Sequence, residues 1–205
     1  MIRLSALVLL AALLAAPGQA ADAPLQGGVY ADLMLGYDPA TKTVTGYYDS
    51  GTGAPPVTFH CIFYLTGSLN GTTAKLRTYF PETPRDAIAG TLTVATPGQV
   101  TIALAQEHGG CANVQHFADK GEPADFTLDT AHSWIAVRVV RSKKAYFHDA
   151  PETDAHRRAY LVQGDGVGVK AAAKGWLEID YPNHGDKTVS GWMPESEFYP
   201  AGSPP

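Results

Sequence analysis

Two cysteines and seven histidines are the residues of this chain best able to do chemistry. Cys111 stands three residues after His108 and five before His116, a spacing at which an imidazole could activate a thiol nucleophile. Such a nucleophile needs a supporting acid to orient the base, and no acidic motif accompanies either histidine. The two cysteines, Cys61 and Cys111, are expected to pair as a disulfide instead. The histidines at 60, 108, 116, 132, 148, 156 and 184 match no His-x-x-x-His or Cys/His ligand spacing. No Gly-x-Ser-x-Gly elbow, Ser-x-x-Lys motif or EF-hand loop occurs. Asp165 and Asp186 sit beside glycines and read as turn formers. No catalytic residue, metal site or cofactor is therefore expected.

Binding chemistry is better represented. Arg138, Arg141, Lys143, Lys144, Arg157 and Arg158 are six of the nine basic residues after Leu128, and Tyr146, Phe147, His148 and Tyr160 are interleaved with them. A solvated charged face would need nothing more. An aromatic groove with a cationic rim would meet an acidic partner or a carboxylate-bearing peptide. The candidate ligand-binding residues are Tyr146, Phe147, Arg157, Arg158 and Tyr160. Aromatic rings on a loop give large contact area at low entropy cost, and Arg adds forked donors.

These residues are expected to work outside the cytoplasm. Arg3 precedes an apolar stretch from Leu4 to Ala16, and Gly18 and Ala20 form a small-x-small end. That is the pattern of a secretory signal peptide over residues 1–20, cleaved after Ala20. The stretch is too short for a membrane helix, which needs about 20 apolar residues, and no later segment could span a bilayer. In an oxidising periplasm or secreted space a lone cysteine pair becomes a disulfide, and closing this loop stabilises by about 4 kcal/mol in the chain-entropy model. With 15 Lys+Arg against 20 Asp+Glu, the chain lacks the basic footprint of a nucleic-acid binder.

The elements that must position these residues read as β throughout. Leu33, Leu35 and Tyr37 alternate before the turn at Asp38-Pro39-Ala40, and Val44, Gly46 and Tyr48 alternate after it. Phe59, Cys61, Phe63 and Leu65 share one face of a further strand. Residues 66–72 carry the turn residues Gly67, Asn70 and Gly71, and Pro97-Gly98 marks a further hairpin. Strands every ten or so residues suggest an antiparallel sandwich or barrel. Residues 21–128 carry 5 basic and 10 acidic groups, whereas residues 129–205 carry 9 and 10. The change precedes a new apolar run, Trp134 to Val140. An N-terminal β domain is expected over 21–130, a second domain over 131–199 and a Pro-rich tail over 200–205.

The second domain has a distinctive order. A V-x-V run (Val137-Arg138-Val139) leads into a long loop, then Tyr160-Leu161-Val162-Gln163-Gly164-Asp165-Gly166-Val167, then Gly175-Trp176. A polar hairpin, Gly191-Trp192 and Ser196-Glu197-Phe198 close it. This order resembles the bacterial SH3 family over residues 134–199. The resemblance implies a small SH3-like β-barrel that binds and does not catalyse. It implies an exported binding protein of the bacterial cell envelope, its ligand a peptide, peptidoglycan or a protein partner. A second reading is a periplasmic inhibitor or immunity protein that neutralises a wall-degrading or toxic enzyme. A hydrolase is the third. The exported chain is expected to begin at Ala21, which N-terminal sequencing of the secreted protein checks directly; a chain still carrying Leu4 to Ala16 would refute it.

Overall fold

The computed structural model describes residues 25–119, 121–154, 156–182 and 187–202. The expected signal peptide, the end of the Pro-rich tail and the expected turn at Asp186 lie outside the described residues. The fold is all-β: a curled antiparallel sheet followed by a second sheet.

The first sheet is a meander. Its strands are β1 (Gly28–Tyr30), β2 (Leu33–Asp38), β3 (Thr43–Thr52), β4 (Phe59–Asn70), β5 (Thr73–Tyr79), β6 (Ile88–Thr96), β7 (Gln99–Leu104), β8 (Ala124–Thr127) and β9 (Thr130–Ala131). Each of β1 to β7 pairs with the next strand in sequence, and β7 with β8. The turns follow local chemistry. The Asp38 carboxylate accepts from the Ala40 N–H at 2.9 Å and the Thr41 hydroxyl at 2.8 Å, which folds β2 back onto β3.

β9 pairs with β1, at the far end of the strand order from β8. Only Leu128 and Asp129 separate β8 from β9, so Thr127 and Thr130 lie within about 11 Å of each other. The sheet must therefore curl until its ends meet, giving a barrel-like form. Leu128 N–H donates to Gly98 on one side and Asp129 N–H to Val29 on the other, at 2.8 and 2.9 Å. Period-two alternation sends Leu33, Leu35, Phe63, Leu65, Leu76, Leu92 and Ile102 inside, where each is at most 1% exposed. Phe117, from the long connection between β7 and β8, plugs the interior. Its ring meets Tyr48 and Phe63 edge-on, each at 5.1 Å. Burying each such ring stabilises by roughly 2–3 kcal/mol. Cys61 on β4 and Cys111, in a one-turn 3-10 helix (Cys111–Asn113), form the expected disulfide and tie that connection to the sheet.

The second sheet runs β10 (Ala136–Val139), β13 (Gly166–Ala173), β14 (Trp176–Pro182), β15 (Thr188–Pro194), β11 (Ala145–His148), β12 (His156–Leu161). A 3-10 turn (Glu195–Glu197) returns the chain so that Phe198 bridges Val140. Phe147, Leu161, Val167, Ile179, Met193 and Phe198 are among its core.

Trp134 was expected inside the strand that ends at Val140, but it precedes β10. Its indole, 1% exposed, stacks on His132 at 4.2 Å and donates to Asp180 at 3.1 Å. Gly168 makes the seat, because a Cβ there would overlap the indole at 2.0 Å. A third core lies between the sheets: Tyr47, Tyr64 and Tyr79 from the outside of the barrel against Trp134, Val137 and Val139. Burial, then the neighbouring Tyr79, holds the Tyr64 phenol well above its usual titration range, so it stays a donor. It donates to the Val137 carbonyl at 2.9 Å, while the Val137 N–H donates to the Thr45 hydroxyl at 2.7 Å. Gly36 permits this approach, since a Cβ would meet the Ala136 backbone at 2.4 Å. Among the described residues no helix is long and apolar enough to cross a membrane.

Asp180 is the charged group at this junction. Burial pushes its carboxyl up, but donors from Ser190, Trp134 and Lys170 outweigh that and hold it below the ordinary carboxylate range. A depressed carboxyl contributes stability above its unfolded pKa, about 3.9, and loses it as pH falls through the folded value. Asp180→Asn is accordingly expected to be less stable than the native chain near neutrality and to lose less on acidification. Urea midpoints from pH 7 to pH 3 check this; parallel curves would contradict it.

Candidate functional site

The residues expected to bind ligand sit on one hairpin, β11–β12, whose free strand β12 is the edge of the second sheet. Tyr146 faces Tyr160 in register, and His148 faces His156. One residue on β11 therefore spans the same distance as three on β12, and residues 157–159 bulge from the edge. The bulge carries Arg158 outward, exposed.

Ring contacts run unbroken across this face. Tyr160 meets Tyr146 at 5.5 Å, Tyr146 meets His156 at 4.4 Å, His156 meets His148 at 6.1 Å, and His148 meets Trp176 at 4.8 Å. Exposure varies along the row: Tyr160, at 43%, and His156 are exposed, Tyr146 is half-buried, and His148 and Trp176 are buried at 8% and 9%. Lys144 places its ammonium 4.7 Å from the Tyr160 ring centre, a cation–π contact at the outer end. At the inner end the buried His148 Nδ1 has no hydrogen-bond partner among the described residues.

The structure brings Tyr146 and Tyr160 together and leaves Arg158 exposed on the neighbouring bulge, whereas the other two expected residues are engaged elsewhere. Phe147, expected on the same surface as Tyr146, turns inward and is 1% exposed in the core. The cause is alternation: neighbours on a strand point to opposite faces. Arg157 is engaged, donating to the Asp149 carboxylate at 2.6 and 2.8 Å and to the Ser190 carbonyl at 2.7 Å. It ties the hairpin to β15. The wider basic cluster also splits. Arg138 is 8% exposed and ion-paired with Glu195 at 2.7 Å, and Arg141 donates to the Ser196 carbonyl. Three members of the row, His148, His156 and Trp176, were not among the expected site residues. His156 carried a weak signal, standing next to Arg157-Arg158; Trp176 is remote in sequence and carried none.

The groups weighed for catalysis are otherwise occupied. Cys111 is in the disulfide. His108 is buried, stacks on Phe63 at 5.0 Å and bonds the Thr78 hydroxyl at 2.8 Å; burial lowers its pKa, opposed by Glu107. Glu107, His116 and Asp119 converge closely enough to hold an ion, a grouping their spacing did not announce. Glu107 Oε1 already accepts from the Phe117 and Ala118 N–H groups at 2.7 Å each, which makes it a clasp for the plugging connection. A depression of about 260 Å3 lies away from the ring row, lined by Gln26, Gly27, Ala131, His132 and Ser133. Comparison of the chain with protein-family models, with curated proteins and with solved structures finds no match.

The two faces of the hairpin predict opposite outcomes on truncation. Phe147→Ala is expected to cost about 3–5 kcal/mol. Tyr160→Ala should stay within about 1 kcal/mol of the native chain. Urea denaturation of each variant separates a core ring from a surface ring, and equal losses would assign both to the core.

Proposed function

We propose that this chain is an exported binding protein of the bacterial cell envelope that works without catalysis, its second sheet an SH3-like barrel. The observation that carries this reading is the ring row Tyr160–Tyr146–His156–His148–Trp176, with Lys144 at its outer end and Arg158 exposed on the same strand as Tyr160. A row of aromatic faces running in from a sheet edge offers stacking surfaces for an extended ligand, and the cations select for carboxylates. Peptidoglycan stems and acidic peptides both have that chemistry.

Three features favour the SH3-like reading. The hairpin β11–β12 is inserted between β10 and β13, which pair with each other. Strands β13, β14 and β15 follow as a meander. A 3-10 turn then precedes the closing bridge from Phe198 to Val140. The resemblance implies the same order of a long first loop, three strands and a short closing segment. The disulfide favours an oxidising compartment.

Retention of the full mature chain on insoluble peptidoglycan sacculi, and on an array of immobilised acidic peptides, tests the reading. The native chain is expected to be held by one of them, less so as salt rises. Tyr160→Ala combined with Arg158→Ala is expected to weaken retention about thirtyfold, the effect of losing an interface anchor, with an unchanged thermal midpoint. Failure to bind either probe, or retention indifferent to the double substitution, would overturn the site.

A further inference from the structure

The connection between β7 and β8 carries more than the plugging ring. It leaves the sheet after Leu104, turns through the 3-10 helix at Cys111–Asn113 and re-enters the interior at Phe117. The Phe117 carbonyl accepts from the Leu104 N–H at 2.8 Å, so the outgoing and returning limbs are held together. Glu107 stands on the first limb, and His116 and Asp119 flank the plug on the second. The turn between the limbs is bonded through Cys111 to β4.

This fold-back brings three donors of two kinds to one point. The His116 Nδ1 lies 3.9 Å from Glu107 Oε1 and 4.0 Å from Asp119 Oδ2. Donor atoms of all three residues lie within 4.8 Å of one another. Atoms no farther apart than that leave a centre within about 2.8 Å of each, and zinc takes imidazole nitrogen and carboxylate oxygen at about 2.0–2.2 Å. Shifts of under about 1 Å therefore bring all three into contact with one ion. The side chains of His116 and Asp119 are each 57% exposed, so they have room to make those shifts, and water has access to the remaining coordination position.

The Glu107 carboxylate supplies a separate reason. Its Oε1 accepts from the Phe117 and Ala118 N–H groups, the kind of outer hydrogen bonding that fixes a ligating carboxylate in place. Its Oε2 is buried and has no hydrogen-bond partner among the described residues. Among the described residues no Lys or Arg is ion-paired with Glu107 or Asp119. A buried, uncompensated polar atom is costly, more so on a charged group, and a dication beside the carboxylate offsets that cost. The imidazole decides between ions, because calcium and magnesium take oxygen ligands whereas zinc takes nitrogen as well.

We infer that Glu107, His116 and Asp119 bind a zinc ion that staples the two limbs of the β7–β8 connection around the Phe117 plug. The ion is a second cross-link beside the disulfide, and it stabilises the folded barrel. The site lies on the first sheet, shares no residue with the ring row and works independently of it. The untagged mature chain, stripped with EDTA and dialysed, is titrated calorimetrically with zinc chloride at pH 7. One ion per chain is expected, with a thermal midpoint that rises as zinc is added. His116→Gln and Asp119→Asn both leave the Glu107 clasp intact. Each is expected to weaken zinc binding roughly tenfold or more while keeping the metal-free midpoint. His156→Gln, in the ring row, is expected to leave zinc affinity unchanged. No binding, a loss of less than about tenfold in either site variant, weakened binding in His156→Gln, or calcium chloride binding more tightly than zinc chloride would each overturn the inference.

Discussion

Two residues, Leu128 and Asp129, stand between a strand at one end of the nine-stranded sheet and a strand at the other. The chain cannot bridge the width of an open sheet in that distance, so the sheet curls and its ends meet. The backbone donors on either side of the link, to Gly98 and Val29, hold the two ends in place. Everything else depends on that closure. It turns one face of each strand into an interior that side chains fill, and it turns the other into a curved outer wall.

The outer wall becomes the foundation of the second sheet. Tyr47, Tyr64 and Tyr79 cover that wall with apolar ring area while keeping polar tips. β10 lies against them, and the Val137 carbonyl and N–H on its edge are satisfied by Tyr64 and Thr45. Trp134 and Asp180 complete the joint from the other side, the indole seated on a glycine and its N–H on a carboxylate. Because this joint consumes the β10 edge, the free edge of the second sheet falls to β12, where the ring row lies.

Closure also decides which pieces of backbone stay uncovered. β3 and β4 are longer than the neighbours that wall them in, and the disulfide and Asp32 grip them at the level of the rim. The tip of their hairpin therefore projects as an ordered extension of a barrel strand.

Much of this was legible in sequence. Alternating Leu33, Leu35 and Tyr37, the Asp38 and Gly98 turns, and a lone cysteine pair prescribe strands, hairpins and a disulfide through local rules, because side-chain direction and turn geometry depend on near neighbours. Tyr146, expected on a long loop, instead lies in strand β11 opposite Tyr160, because β11 and β12 pair across the connection. What local rules do not determine is which outward face meets which. Tyr47, Tyr64 and Tyr79 alternate like any solvent-facing residues until closure stacks them into one wall. Phe147 and Tyr146 are chemically similar neighbours, and only the packing of the second core assigns one inward and the other outward. Trp176 joins the row from another strand. Alternation constrains pairs two residues apart, whereas contact between faces depends on closure and sheet packing, which involve residues far apart in the chain.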